Sequence, residues 1–345
     1  MFSASSAARI LERTWYRRAG LLALLLWPAS IVFRVVVALR RLAYVLRLLP
    51  SRSAGIPVVA IGNLTVGGSG KTPLAIHVAE LLKSKGWSPA IVSRGYLAGA
   101  RPAGSGEQPP RAVSLASDPA EVGDEPVLMA RRSGCPVWVG ADRVAVAARL
   151  REEHPDCNVI VLDDGLQHYA LRRDLEIAVV DARAFGNGFM LPAGPMREPR
   201  TRLWTVDAVV AHGTDKVKGY GMRLEGEELH RATDARARRS LASFARERVH
   251  AVAGIGDPKR FFLHLAARGL QVVPHPFPDH HPFVAADLEF GDEAPVLMTE
   301  KDAVKCKRFA KPQHWILPVR AVPDPAFDAW LLRRLGELGH RPKAA

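Results

Sequence analysis

The chain has 345 residues, 48% hydrophobic and 24% charged, which suits a packed core, leaves room for two domains and argues against wholesale disorder. Lys and Arg total 48 against 35 Asp and Glu, a net charge of +13 that favours anionic partners: nucleic acid, acidic headgroups or phosphorylated substrates. The three cysteines, Cys135, Cys157 and Cys306, form no CxxC pair and no His/Cys cluster of zinc spacing, which points to a reducing compartment.

Leu21 to Phe33 is an apolar run of 13 residues interrupted by Pro28 and Ser30 and ended by Arg34. It falls short of the ~20 residues that a spanning helix needs. Basic residues precede it and Pro28-Ala29-Ser30 resembles a cleavage site, but a glycine-rich loop downstream, GNLTVGGSGKTP, has the pattern of a nucleotide-phosphate loop, which export would part from its nucleotide. Beyond it, Arg34, Arg40, Arg41 and Arg47 fall within an arc of roughly 140° on a helical wheel. Val35, Leu39, Leu42, Val45, Leu46 and Leu49 fill the other side. Such a helix suits an anionic membrane surface better than the interior of its own domain. Residues 1–54 are therefore expected to form membrane-associated helices.

Pro57 to Ile61 reads as a buried strand, followed by the loop GNLTVGGSGKTP and by a helical pattern that ends near Gly86. Strand, glycine loop and helix are the setting of a Walker A phosphate loop. Thr65, Val66, Gly67, Gly68, Ser69, Gly70, Lys71 and Thr72 are the expected nucleotide contacts. Backbone N–H groups wrap the phosphates, Lys71 reaches the outer oxygens and the Thr72 hydroxyl holds Mg²⁺. Thr65 stands where the motif normally has its first glycine.

Ala90 to Val92 is strand-like, and residues 97–113, rich in Gly, Pro, Ala and Ser, read as a loop. Asn158 to Leu162 is an apolar strand running into Asp163 and Asp164, a Walker B arrangement with carboxylates at a strand's C-terminal end beside Mg²⁺. A loop follows Asp181 as far as Pro199, and residues 207–211 form another core strand. These elements make residues 55–212 a nucleotide-binding core. The charged stretch 213–247 is expected to be a linker, and residues 248–345 a second α/β region closed by a helix with Trp330, Leu331, Leu332 and Leu335. Gly254-Ile255-Gly256-Asp257-Pro258 lacks the full glycine spacing of a dinucleotide loop.

Two familiar classes of NTPase fit poorly. A GTPase needs an Asp where Leu162 stands, and in Thr299-Glu300-Lys301-Asp302 the lysine comes one place late for a guanine box. A partitioning ATPase carries a lysine before its glycine pair, where this chain has Val66.

GNLTVGGSGKTP, SRGY (93–96), GDEP (123–126), LDDGLQH (162–168), LPAGPMREP (191–199), FPDHHPF (277–283) and TEKDAVK (299–305) together resemble the tetraacyldisaccharide 4'-kinase family, the lipid A 4'-kinases of Gram-negative bacteria. The resemblance implies an α/β fold: a P-loop NTPase core with a mostly parallel sheet, a smaller second α/β region and N-terminal membrane-associated helices. It also implies transfer of the ATP γ-phosphate, with Mg²⁺, to the 4'-hydroxyl of a tetraacyl glucosamine disaccharide 1-phosphate at the cytoplasmic face of the inner membrane. No nucleic acid and no protein partner is expected. By carry-over of the motifs, Asp124 is the base that accepts the hydroxyl proton and His280 its partner. Asp163 and Asp164 serve the metal, with Glu198 completing their network, while Arg94, Tyr96, Gln167 and His168 meet the substrate or shape the site. The alternative from another class is a membrane-recruited P-loop NTPase switch that acts on a protein partner.

Overall fold

Leu21–Val45 forms one 25-residue helix, α1, with Pro28 inside it. The end of the apolar run at Arg34 is not a helix end, because arginine is a good helix former and the chain stays helical through it. The apolar run and the basic amphipathic stretch are therefore one element, long and apolar enough to cross a membrane by length and composition. The computed structural model describes residues 14–16, 20–95 and 109–339.

The chain then continues through β1 (Val58–Gly62), α2 (Lys71–Ser84), β2 (Pro89–Ser93), β3 (Arg111–Val113), α3 (Pro119–Val122) and α4 (Asp124–Ser133). Next come β4 (Val137–Val139), α5 (Arg143–Glu153), β5 (Val159–Asp163), β6 (Leu175–Asp181), β7 (Ala208–His212) and β8 (Tyr220–Glu225). β9 (Glu228–Arg231), β10 (Arg238–Ser240), β11 (Arg248–Ala253), α6 (Pro258–Ala267) and β12 (Gln271–Pro276) lead to β13 (Val296–Thr299), α7 (Glu300–Cys306), β14 (His314–Leu317), β15 (Arg320–Pro323) and α8 (Pro325–Glu337).

Nine strands form one sheet in the order β15-β8-β7-β6-β1-β5-β2-β4-β3, parallel from β8 to β4 with an antiparallel strand at each edge. Its central strands are apolar along most of their length because both faces are covered, with polar residues mainly at their C-terminal ends. Val59 and Ile61 of β1 pack with Leu74, Val127 and Trp330 on the side of α2, α4 and α8. Val58 and Ala60 pack with Val146 and Leu150 of α5 on the other side. The register sets Ile61 opposite Asp163, so the strand leading into the phosphate loop ends beside the strand carrying the acid.

The second sheet, β10-β9-β14-β13-β11-β12, has its own core around Phe244, Leu265 and Trp315. The segment expected to be a linker carries β8, β9 and β10, and the sheets change at Gly226. The chain crosses back after β14, and β15 and α8 rejoin the first sheet, so residues 248–345 do not stay with the second. The two crossings run side by side: a Cβ at Gly226 would stand 2.4 Å from the Pro318 carbonyl oxygen, so glycine is required there. Charge and alternation marked 213–247 as polar ribbon, but which sheet each strand joins depends on pairings distant in sequence.

Candidate active site

The phosphate loop joins β1 to α2 and is tied down from outside. Thr65 forms an antiparallel bridge with Met196, and the flanking bonds are Val66 N–H to the Pro195 carbonyl, 2.9 Å, and Arg197 N–H to the Leu64 carbonyl, 2.7 Å. Thr65 lies in extended backbone that needs no glycine, which explains the departure from the usual motif. Val66, expected to contact nucleotide, has its N–H taken by Pro195 and its carbonyl by the Tyr16 hydroxyl, 3.0 Å away. Its amide is therefore not available to a phosphate. The glycine freedom is used at Gly67 and Gly70, at φ 105° and 93°. Lys71 donates to Asn63 Oδ1 at 3.1 Å and lies 3.6 Å from Asp164, while Thr72 is buried in the first turn of α2.

Asp163 closes β5 with both oxygens inside the protein. Oδ2 accepts from Ser93 Oγ at 3.3 Å, and Oδ1 has no hydrogen-bond partner among the described residues. Burial, then the negative charges of Glu125 and Asp164, raise its pKa to about 7 against the pull of Lys71. Asp164, held at φ 50°, is its opposite. Burial works against its charge, but Lys71 and Arg197, the latter 2.9 Å away, outweigh burial and hold its pKa at about 2. An orphaned, buried carboxylate oxygen fits a divalent cation, whose charge would oppose the burial that raises the pKa.

Glu198 has a different position from the one expected. It accepts from the Tyr169 hydroxyl and from Gln167 Nε2 at 3.1 Å, with Arg202 Nε 3.6 Å away. These protein partners occupy its carboxylate, so Glu198 braces the loop that carries Arg197. Gln167 also donates to the Asn63 carbonyl, 3.1 Å. His168 is kept neutral: burial, then the charge of Arg143, lowers its pKa to about 4. Arg94 is exposed beside Arg143 at the strand ends, and Tyr96 lies outside the described residues.

Asp124 opens α4, 4% exposed, after Gly123 at φ 95°. Across 156 positions, His280 Nδ1 stands 3.0 Å from each of its carboxylate oxygens, and Lys305 Nζ 3.4 Å from Oδ2. Burial would raise the Asp124 pKa, but the His280 hydrogen bond and the charges of Lys301 and Lys305 hold it well below the carboxylate range. Burial lowers and Asp124 raises that of His280, the net shift being upward from 6.5. His280 sits at φ 58°, an uncommon conformation for a side-chain-bearing residue. The neighbouring His281 turns away to Asp287 Oδ2, 3.0 Å.

Sequence reasoning missed Asn63, Glu125, Arg143, Arg183 and Arg197. Arg183 donates to the Gly68 carbonyl, and Arg143 is buried near Asp163 and Asp164, its pKa lowered to about 10 by burial and by Arg94. Asn63, Glu125 and Arg197 lay inside motifs already singled out, whereas Arg143 and Arg183 had no local signal.

A loop shaped for phosphates, a nearby carboxylate with one oxygen unpartnered among the described residues, and a buried aspartate paired with a histidine suit the movement of a phosphoryl group onto a hydroxyl. Fold and site thus define a P-loop phosphotransferase. More particularly, the model of the tetraacyldisaccharide-1-P 4'-kinase family matches residues 22–336, and the chain belongs to that family. It is similar to the tetraacyldisaccharide 4'-kinase of Methylobacillus flagellatus, 48% identical over 335 residues that cover 96% of this chain and 98% of that one. The enzyme of the same name from Pseudomonas aeruginosa is 46% identical over 329 residues, covering 94% and 96%. The crystal structure of LpxK from Aquifex aeolicus in complex with ATP superposes with a TM-score of 0.73 at 26% identity, covering 91% of this chain and 100% of that one. The expectations of a P-loop α/β fold and an ATP-binding kinase of lipid A biosynthesis stand, and nothing supports the NTPase switch.

Proposed function

We propose that this chain transfers the γ-phosphoryl group of ATP to the 4'-hydroxyl of a tetraacyl glucosamine disaccharide 1-phosphate, with Asp124 as the base. The observation that carries the assignment of roles is the Asp124–His280 pair, which joins the P-loop region to the second sheet at 3.0 Å. In the reaction the acceptor oxygen bonds to phosphorus, the bond to the ADP oxygen breaks, and the hydroxyl proton passes to Asp124. The low pKa of Asp124 is compatible with this role. In a loose transition state the hydroxyl sheds its proton late, after phosphorus has made it acidic, so a weak but well-placed base suffices. Lys71 and the amides of Gly67 to Gly70 hold the phosphates. Thr72 and Asp163 would hold Mg²⁺, which when bound neutralises charge on the phosphate oxygens. Labelled ATP and a tetraacyl disaccharide 1-phosphate in micelles provide the test. Label is expected in the lipid with the wild type and lost with Lys71→Ala; label released only as free phosphate would contradict the assignment.

The seat on the membrane belongs to the same reading. Ser30 ties α1 to the core through the Met190 carbonyl and the Ala193 N–H, both 2.9 Å away. Leu21, Leu25, Val32, Val35 and Leu39 of α1 remain exposed. At the basic end Arg41 donates to Thr205 at 2.8 Å, and the adjacent Trp204 is 84% exposed. An exposed indole next to an apolar helix with arginines is suited to the headgroup layer of an anionic leaflet, and the need for ATP supports the cytoplasmic face of the inner membrane as that leaflet. Trp204→Ala is expected to weaken binding to anionic vesicles several-fold while leaving transfer to micellar acceptor unchanged. Equal vesicle binding by both proteins would remove Trp204 from the membrane contact.

A further inference from the structure

The transfer chemistry makes no direct use of residues 299–305, yet they are built closely into the surroundings of Asp124 and His280. Thr299 caps α7 by accepting from the Asp302 N–H. Lys301 and Lys305, one helical turn apart, project from the same face of α7. Lys305 is held between Asp302 Oδ1 at 2.9 Å and Asp124 Oδ2 at 3.4 Å. Asp302 is wholly buried and also accepts the Gly254 N–H, 2.9 Å. Lys301 reaches further: its ammonium donates to Glu125 Oε1 at 2.9 Å and to Asp279 Oδ1 at 3.1 Å, and stands 3.4 Å from His280 Nε2. Glu125 directly follows Asp124 and Asp279 directly precedes His280. One ammonium therefore grips the neighbour of each member of the pair and touches the imidazole itself.

We infer that Lys301 is the positioning residue of the Asp124–His280 pair, joining its two halves across the sheets and fixing which imidazole nitrogen faces the carboxylate. An ammonium donates only, so the nitrogen that faces it must present a lone pair. Nε2 is then unprotonated, Nδ1 carries the hydrogen, and the Nδ1–H donates to Asp124. A second proton on the imidazole would point an N–H at the ammonium. Among the described residues the charged groups around the ring are Asp124 on α4, Lys301 on α7 and Asp279 on its own loop, with Lys305 beyond Asp124 and Asp118, Arg131, Lys307 and Arg308 lining the adjoining cavity. Asp124 favours the second proton, and Lys301 opposes it.

The inference rests on Asp124 acting as base, so the experiment has an arm that needs no turnover. In full-length protein in detergent, nitrogen NMR of His280 without substrates is expected to show the Nδ1–H tautomer in the wild type. In Lys301→Gln the imidazole should titrate at higher pH, because the opposing cation is gone, and Lys301→Arg should return the titration toward the wild type. In the transfer assay Lys301→Gln should lose roughly 10- to 100-fold in kcat with KM for ATP unchanged, a loss of the size that misplacing a catalytic group brings. The acid limb of its kcat profile should move to higher pH, and Lys301→Arg should recover part of the rate. An Nε2–H tautomer in the wild type would overturn the inference without any variant having to fold. So would an unmoved titration in Lys301→Gln, a loss confined to KM for ATP, or an arginine variant no better than glutamine. If the wild type fails to label the lipid, the kinase assignment falls, and the titration still decides Lys301.

Discussion

Asp124→Asn is expected to lower kcat by roughly 10²- to 10⁴-fold, the contribution of a placed general base, while ATP binds as before. Asparagine is chosen because it keeps the shape and an acceptor for the His280 hydrogen bond. Alanine would leave His280 and Lys305 without their buried partner, and removing one member of such a pair costs about 3 kcal/mol or more in stability. The same substitution should lower the pH at which His280 titrates, because the carboxylate is what holds its pKa above 6.5. In the wild type the acid limb of kcat/KM should consequently lie above that value, the rate falling as His280 gains its second proton with falling pH. Equilibrium nucleotide binding, steady-state rates and the histidine titration can be read on one preparation. A variant that keeps most of its kcat removes Asp124 as the base, whatever its effect on the histidine.

Asp163→Asn should cost roughly 10²- to 10³-fold in transfer, comparable with deleting one preorganised charge-stabilising group. Its second signature concerns protons. The folded pKa of Asp163 is about 7 against an ordinary 3.8, so the folded chain binds the proton more tightly than the unfolded one. The raised value means that burial of the carboxylate destabilises the metal-free protein, with no effect below 3.8 and a growing one as pH rises through about 7. A divalent cation requires the ionised form and should displace the proton, so Mg²⁺ binding should weaken as pH falls from about 8 to about 6. Calorimetry in buffers of different ionisation enthalpy would show the released proton in the wild type and none in Asp163→Asn. Heats independent of buffer, with an affinity flat across that range, would place the cation elsewhere.

What was legible in the sequence has a physical pattern. The phosphate loop is a contiguous structure: a strand, three glycines around Ser69, a lysine, a threonine and a helix, all held by local backbone geometry, so GNLTVGGSGKTP could be read directly. The Asp163–Asp164 strand end was legible for the same reason. The difference between the two aspartates was not, because it comes from Glu125, Lys71 and Arg197, which approach from three other segments. The bond from Val66 to Pro195, and the partners Tyr169, Gln167 and Arg202 around Glu198, could not be read from the sequence either. The pairing of Asp124 with His280 came from the family resemblance, since no spacing rule connects residues on different sheets.

By itself, then, the sequence determined the phosphate loop, the acidic strand end, the apolar basic helix at the start, the doubly covered parallel strands and the family. These are properties of local backbone conformation, hydrophobic periodicity and ordered motifs, and they need no partner distant in the chain. Tertiary structure alone decided that the sheets exchange at Gly226 and again after β14, and that a lysine on α7 sits between the neighbours of Asp124 and His280. Each depends on groups far apart in sequence meeting within about 3 Å, a distance set by the packing of two whole sheets against one another.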